Sequence, residues 1–258
     1  MITLLHDRTS WRRALLLVLL MAGPAQAEPP KQTCDVPAYL LTSESSLPKV
    51  RATVKTDGKL NILVIGSRSA VIGLSDQSAA FPNRLQAYLA DKLPGVSVNV
   101  ALELQVKKTA EEMAPDLGKL VESHKPDLVV WQTGTVDAMR QVDSDDFRNA
   151  LDDGVTAMQK AGTDVILMNL QYSPRTESMI SGSAYLDNMR VVAQQHDVPL
   201  FDRFAIMRQW NENGDFDLFN PAPGMELAKR VHDCLGRALS AFVIETARIK
   251  TEDLRIQR

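Results

Sequence analysis

The stretch Asn61-Ile-Leu-Val-Ile-Gly-Ser-Arg-Ser-Ala-Val-Ile-Gly73 decides how the rest of the chain is read. Ile62 to Ile65 is a short apolar run stopped at once by Gly66. A strand of a parallel sheet is covered on both faces, so it reads as such a run rather than as an alternation. The turn behind it carries Ser67, Arg68 and Ser69. In open α/β sheets ligands sit beyond the carboxyl ends of the strands, which makes this turn the first place to look for chemistry.

Toward the amino end, Glu28 to Gly58 is rich in Pro, Lys, Ser and Thr, and only Val36 to Leu41 is apolar enough to pack. We read residues 28–58 as an irregular arm. Before it, Arg8, Arg12 and Arg13 precede the apolar run Ala14 to Met21, and Ala25-Gln26-Ala27 has the small-x-small form of a cleavage site. The run is shorter than the roughly 20 residues of a membrane span, so residues 1–27 read as a secretory signal peptide. Cleavage removes three arginines and one aspartate, Asp7, and takes the formal charge from −3 to −5. A mildly acidic chain gives no support for binding nucleic acid or an anionic membrane surface. No second long apolar run follows, so the mature chain is not expected to span a membrane.

The two cysteines are Cys34 and Cys234. An exported chain meets an oxidising compartment, where pairing is the natural reading; the other is two buried thiols. No spacing suggests a metal site.

Downstream, strands and helices alternate. A helix is expected at about Ser78 to Lys92, with Pro82 in its first turn and Phe81, Leu85, Tyr88 and Leu89 on one face. Val96 to Ala101 reads as the second strand. The next helix falls between Thr109 and Ser123, with Met113, Leu117, Leu120 and Val121 on one side and a start blurred by Pro115. Asp127 to Thr133 is the third strand. Ser144 is the expected cap of a helix whose inner face is Phe147, Leu151, Val155 and Met158. Asp164 to Leu170 is the fourth strand, and Tyr185, Met189 and Val192 mark another helix. Pro199 to Asp202 is a short fifth strand. The last helix begins near Pro223, with Leu227, Val231, Cys234, Leu235 and Ala238 inward, and a charged tail follows Ile244. This order argues a parallel sheet with helices on both faces, over residues 59–244. Neither Gly-x-Gly-x-x-Gly nor a Gly-Lys-Ser/Thr P-loop occurs, so no nucleotide cofactor is expected.

Three strand-end motifs line up in order: Gly66-Ser67-Arg68-Ser69, Gly134-Thr135-Val136-Asp137, and Asp217-Leu218-Phe219-Asn220-Pro221. With Trp131-Gln132-Thr133 and Phe201-Asp202-Arg203-Phe204 around them, the arrangement resembles the SGNH, or GDSL, hydrolases, a family of esterases, lipases and acyltransferases. The resemblance implies a three-layer α/β/α fold on a flavodoxin-like, five-stranded parallel sheet. It also implies a serine nucleophile in Gly-Asp-Ser, an oxyanion-binding asparagine in Gly-x-Asn-Asp, a glycine after strand two that supplies a second donor, and a base in Asp-x-x-His. Acyl transfer needs a hydroxyl beside a base, and preorganised donors for the tetrahedral oxyanion.

The chain departs at each position. Arg68 stands at the serine, and Val136, which cannot donate a hydrogen bond, at the asparagine. No glycine occurs between Gly95 and Gly118, and Asn220 (in the other register Phe219) stands at the histidine. Beyond the signal peptide the histidines are His124, His196 and His232. The first two precede strands and so lie toward the opposite edge of the sheet. His232, in mid-helix, is expected to face outward. Ser67 and Ser69 are either a shifted nucleophile or hydroxyls that bond the turn. Arg68 either receives a carboxylate or phosphate, or is solvated or paired with Asp137. Thr135, Gln171, Tyr172 and Arg175 are candidates to line the same cleft, and Asp217 to cap the approach to the last helix. The expectation is an exported, degenerate relative of these hydrolases, with an anionic or glycan ligand or an envelope protein partner. The alternative is an esterase or acyltransferase rearranged onto Ser67 or Ser69.

Overall fold

The computed structural model describes residues 34–71, 77–220 and 224–250. The expected signal peptide, residues 1–27, and the tail from 251 lie outside them. Five parallel strands are ordered β2-β1-β3-β4-β5: β1 Lys59–Gly66, β2 Ser97–Leu104, β3 Leu128–Gln132, β4 Asp164–Met168 and β5 Leu200–Phe201. The helices are α1 Pro48–Thr56, α2 Phe81–Lys92, α3 Ala110–His124, α4 Thr135–Arg140, α5 Ser144–Lys160, α6 Pro174–Met179, α7 Ser183–Gln195, α8 Arg203–Glu212 and α9 Gly224–Thr246.

Successive side chains of a strand point to opposite faces, and the central strands use both. Ile62, Val64, Val130, Ile166 and Met168 pack with α1, α2, α8 and α9, whereas Leu63, Ile65, Val129, Trp131, Val165 and Leu167 pack with α3, α5 and α7. The result is the expected three-layer fold. The outer strand β2 is half-exposed. Its inward amides pair with β1, and the outward amide of Val100 is taken by Gln86 Oε1 of α2 at 2.8 Å.

The arm is not irregular throughout. Pro48 opens α1, and Val50 and Val54, one turn apart, are buried. A helix start leaves amides without intrahelical partners; Asp164 Oδ2 accepts the Val50 amide at 2.9 Å, and Lys49 Nζ donates to Pro126 O at 3.2 Å. Three further elements, α4, α6 and α8, fall where no helix was expected. The cap of α5 is Asp143, which accepts from the amides of Asp145 and Asp146, and not Ser144. Pro115 lies inside α3, which starts at a Thr109–Glu112 capping box. β2 runs three residues past Ala101, to Leu104. α9 continues past Ile244 to Thr246, with Ala247 and Ile249 buried behind it. Cys34 and Cys234 form a disulfide, with Cα atoms 5.8 Å apart, that ties the arm to α9.

His232 does not face outward. It is buried between α9 and α2, and its Nδ1 accepts the Phe81 amide, the first of α2, at 3.0 Å. α9 is covered over a wide arc because α2 and the sheet both pack on it, so Val231 and His232 are both inside. Burial, with help from the positive Arg203, pushes the imidazole down to about 4. The unfolded chain, near 6.5, then binds the proton first. The stability that the neutral ring contributes is full above pH 6.5 and is lost as pH falls toward 4, by about 3 kcal/mol in all. Urea unfolding at pH 7 and 4.5 is expected to show this loss in the native chain and a smaller one in His232→Gln. Equal slopes in the two proteins would remove the imidazole as the cause.

Candidate functional site

β1 ends at Gly66 directly beneath the side chain of Gln132, where a Cβ would come within 2.9 Å of Gln132 Oε1. Ser67 caps the short 3-10 turn Arg68–Ala70 and accepts from the Ser69 amide at 3.4 Å. The two hydroxyl oxygens lie 3.1 Å apart. Gln132 Nε2, at the end of β3, donates to Ser67 Oγ at 3.2 Å and also to Ser69 Oγ. Arg203 Nη1, at the start of α8 behind β5, donates to Ser69 Oγ at 3.4 Å. Two hydroxyls, an amide and a guanidinium from three strand ends thus converge.

Arg203 is 1 % exposed, and its Nε and Nη2 have no hydrogen-bond partner; the buried Gln132 Oε1 has none either. No carboxylate among the described residues pairs with it. Its neighbour Asp202 is committed elsewhere, accepting from Ala205 N at 2.9 Å and Asn169 Nδ2 at 2.7 Å. Burial alone pulls the guanidinium down to about 9, so it is a cation near neutral pH. A buried cation without an ion partner is costly.

The other candidates divide. Arg68 is exposed and does not pair with Asp137. Asp137 is 1 % exposed and serves the backbone: its oxygens accept from Ala110 N at 2.7 Å and Gly134 N at 3.2 Å, tying the starts of α3 and α4 together. Burial outweighs these bonds and raises its pKa. Thr135 Oγ1 accepts the Gln171 amide at 3.2 Å and holds the ends of β3 and β4 together. Tyr172 is buried edge-on against Phe204, and Arg175 is exposed on α6. Asp217 is exposed and caps its own turn, accepting from Phe219 N and Asn220 N at 3.1 Å each. Ser67 and Ser69 therefore belong to the convergent group, and Arg68 sits exposed in the same turn. Asp137, Thr135 and Asp217 shape the backbone around it.

Gln132 and Arg203 are the residues that the sequence reading passes over. Their signal is a polar side chain where the pattern calls for an apolar one: Gln132 ends a strand of five buried residues, and Arg203 opens the helix whose inner face is Ile206, Met207 and Trp210.

Two of the histidines are engaged away from the hydroxyls. His124 Nε2 lies 3.1 Å from Glu103, and His196 Nε2 lies 2.7 Å from Asp152, both at helix ends that feed the amino edge of the sheet. Among the described residues no group of acidic, histidine and cysteine side chains could hold a metal ion, and no helix is long and apolar enough to cross a membrane.

A family model described as the Non-GDSL lipase-like family matches residues 33–249. The chain belongs to that family. The name suits a first motif that reads Gly66-Ser67-Arg68-Ser69 where the SGNH hydrolases have Gly-Asp-Ser. No curated protein matches the chain. Among solved structures it is similar to TesA, with 24% identity, a TM-score of 0.54, and 69% of this chain and 97% of the other covered. It is similar to the lipase/acylhydrolase from Enterococcus faecalis, with 22% identity, a TM-score of 0.58, and 74% and 97% covered. The psychrotrophic esterase EstA from Pseudoalteromonas sp. is 19% identical, with a TM-score of 0.53 and coverage of 69% and 96%. At these identities the likeness is one of fold, and this Non-GDSL lipase-like protein has the SGNH hydrolase architecture.

Proposed function

We propose that this member of the Non-GDSL lipase-like family is an exported protein that binds an anionic ligand at the strand ends and does not hydrolyse esters. Its role would be accessory to cell-envelope glycan or acyl-group metabolism, in the periplasm. One observation carries the reading: Arg203 is a buried cation with two unpartnered nitrogens beside Ser69. Such a group is retained against its cost when something else answers its charge. The exposed Arg68 in the same turn adds a second positive group. At the catalytic positions of the SGNH hydrolases the chain has Arg68, which suits anion recognition, and Val136 and Asn220 or Phe219, which do not supply the groups of acyl transfer.

The test is a thermal-shift panel of phosphates, uronates and carboxylates on the mature chain. Stabilisation is expected for at least one anion, and Arg68→Ala and Arg203→Met are each expected to reduce it. Failure of every anion, or a shift unchanged in both variants, sinks the proposal. The same reading makes Arg203→Met informative without ligand. Replacing even a buried ion pair by apolar side chains of similar volume is often neutral or stabilising, by about 1–4 kcal/mol, and a lone buried cation lacks the partner's compensating attraction. Chemical unfolding of the ligand-free variant is expected to show a gain in that range, and a loss would mean that the cation is satisfied within the fold.

The second reading, a rearranged esterase or acyltransferase, is favoured by the same hydroxyls. Ser69 Oγ faces donors from Gln132 and Arg203, which would stabilise negative charge on it.

A further inference from the structure

A groove of about 430 Å³ lies between α2 and the first half of α9, and none of the strand-end residues lines it. Its floor includes the Cys34–Cys234 disulfide and Phe216. Four cations, Arg84, Lys229, Arg230 and Arg237, and one carboxylate, Asp233, line it. This is a concentration of positive charge in a chain whose net charge is −3.

The carboxylate is used up within the wall. Arg84 meets Asp233 Oδ1 at 2.5 Å, and Tyr88 donates to Asp233 Oδ2 at 2.9 Å. The wall is also tightly made. Gly236 lets α9 approach α2 so closely that a Cβ there would sit 2.5 Å from Arg84 Cβ. Arg237 Nη2 donates to Cys34 O at 3.2 Å, which fixes it against the disulfide, and its charge helps to lower the pKa of Lys92, after burial. Lys229 pairs with Glu226 at 3.0 Å, an exposed contact three residues away of the kind that contributes little. Arg230 extends its guanidinium over the Phe216 ring, 5.8 Å from its centroid, and so presents a flat, charged, partly apolar surface.

We propose that this groove is a second binding site, for a small molecule that carries an oxyanion, carboxylate or phosphate, on a sugar-sized body. The volume falls in the range of small-molecule sites, about 300–1,000 Å³. A guanidinium offers a planar fork of donors that matches either oxyanion. Phe216 and the disulfide supply the apolar surface that the body of the ligand covers. The proposal does not rest on the strand-end site.

The experiment is calorimetric titration of the mature chain with glucuronate, glucose 6-phosphate, inorganic phosphate and neutral glucose, at low and high salt. Saturable binding of at least one anion, weakened at high salt, is expected. Binding by glucuronate alone points to a carboxylate source, binding by the phosphates alone to a phosphate source, and either supports the site. Arg230→Glu is expected to weaken binding at least tenfold. Arg230→Met, which keeps a side chain over Phe216, is expected to lose the anion with unchanged thermal stability. Arg68→Ala and Arg203→Met, which test the strand-end site, are expected to leave this binding intact. Glucose binding as tightly as the anions, no anion binding at all, or equal affinity in Arg230→Glu overturns the proposal.

Discussion

Purified mature protein is expected to turn over short-chain nitrophenyl esters no faster than its Ser67→Ala/Ser69→Ala variant. A serine hydroxyl stays protonated near neutral pH and is a weak nucleophile without a base. The ring nitrogen of His232 that could act as a base already accepts the Phe81 amide, and His124 and His196 are held at the far edge of the sheet. In a related mechanism, loss of the triad serine or histidine alone costs on the order of 10⁶ in turnover. Loss of an oxyanion donor, as with Val136 in the asparagine's place, costs about 10² to 10³. The factors do not multiply, since members of one catalytic unit act together, but either alone puts an unactivated ester out of reach. Asp217 is a poor substitute base: an ordinary aspartate has a pKa of about 4, and this one is exposed and occupied with its own turn. A saturable rate that disappears in the double variant would put the rearranged esterase first, with Gln132 and Arg203 as the donors to its serine oxygen.

The largest effect on stability is expected from the Cys34→Ala/Cys234→Ala variant. The bond closes a loop across a sequence separation of 200 residues, and the chain-entropy model gives roughly 5 kcal/mol for a loop of this size, as an upper figure. The arm has few other anchors near this point: Trp210 Nε1 donates to Asp35 O at 3.1 Å, and Arg237 to Cys34 O. Guanidinium unfolding should place the variant several kcal/mol below the oxidised protein, and the reduced native chain beside the variant. Identical midpoints for all three would show that the cross-link does not constrain the unfolded chain. Mass analysis of alkylated, unreduced protein checks the pairing itself.

Most of the fold is legible in the residues because the sheet is buried on both faces. Apolar runs such as Ile62 to Ile65, each closed by a polar turn, leave few alternatives to a parallel strand. Amphipathic helices such as α5 and α9 declare their inner faces in the same way. What escapes is small or mixed. α1 has two buried valines among lysine, arginine and threonine, and its amides find their partner at Asp164, more than a hundred residues away. α8 has a short apolar face that opens with a buried arginine. The position of His232 depends on how many neighbours crowd α9, which no periodicity reports.

The candidate site is less legible than the fold for a related reason. Ser67, Arg68 and Ser69 follow from the rule about strand ends. Gln132 and Arg203 act through contacts between residues 63 and 134 positions apart in sequence. Asp137 looks like a cleft carboxylate in the sequence, yet in three dimensions it is spent on the amides of two helices.

The Gln86–Val100 contact bears on how copies of this protein behave at high concentration. Every second amide of β2 points away from the sheet, which makes that border a template onto which a foreign strand can dock. Gln86 occupies one of those amides with its side-chain oxygen, so an incoming strand must evict it before a continuous ladder can form. At the opposite border β5 is two residues long, too short to seed a ladder. Gln86→Ala would leave that amide open to an incoming strand.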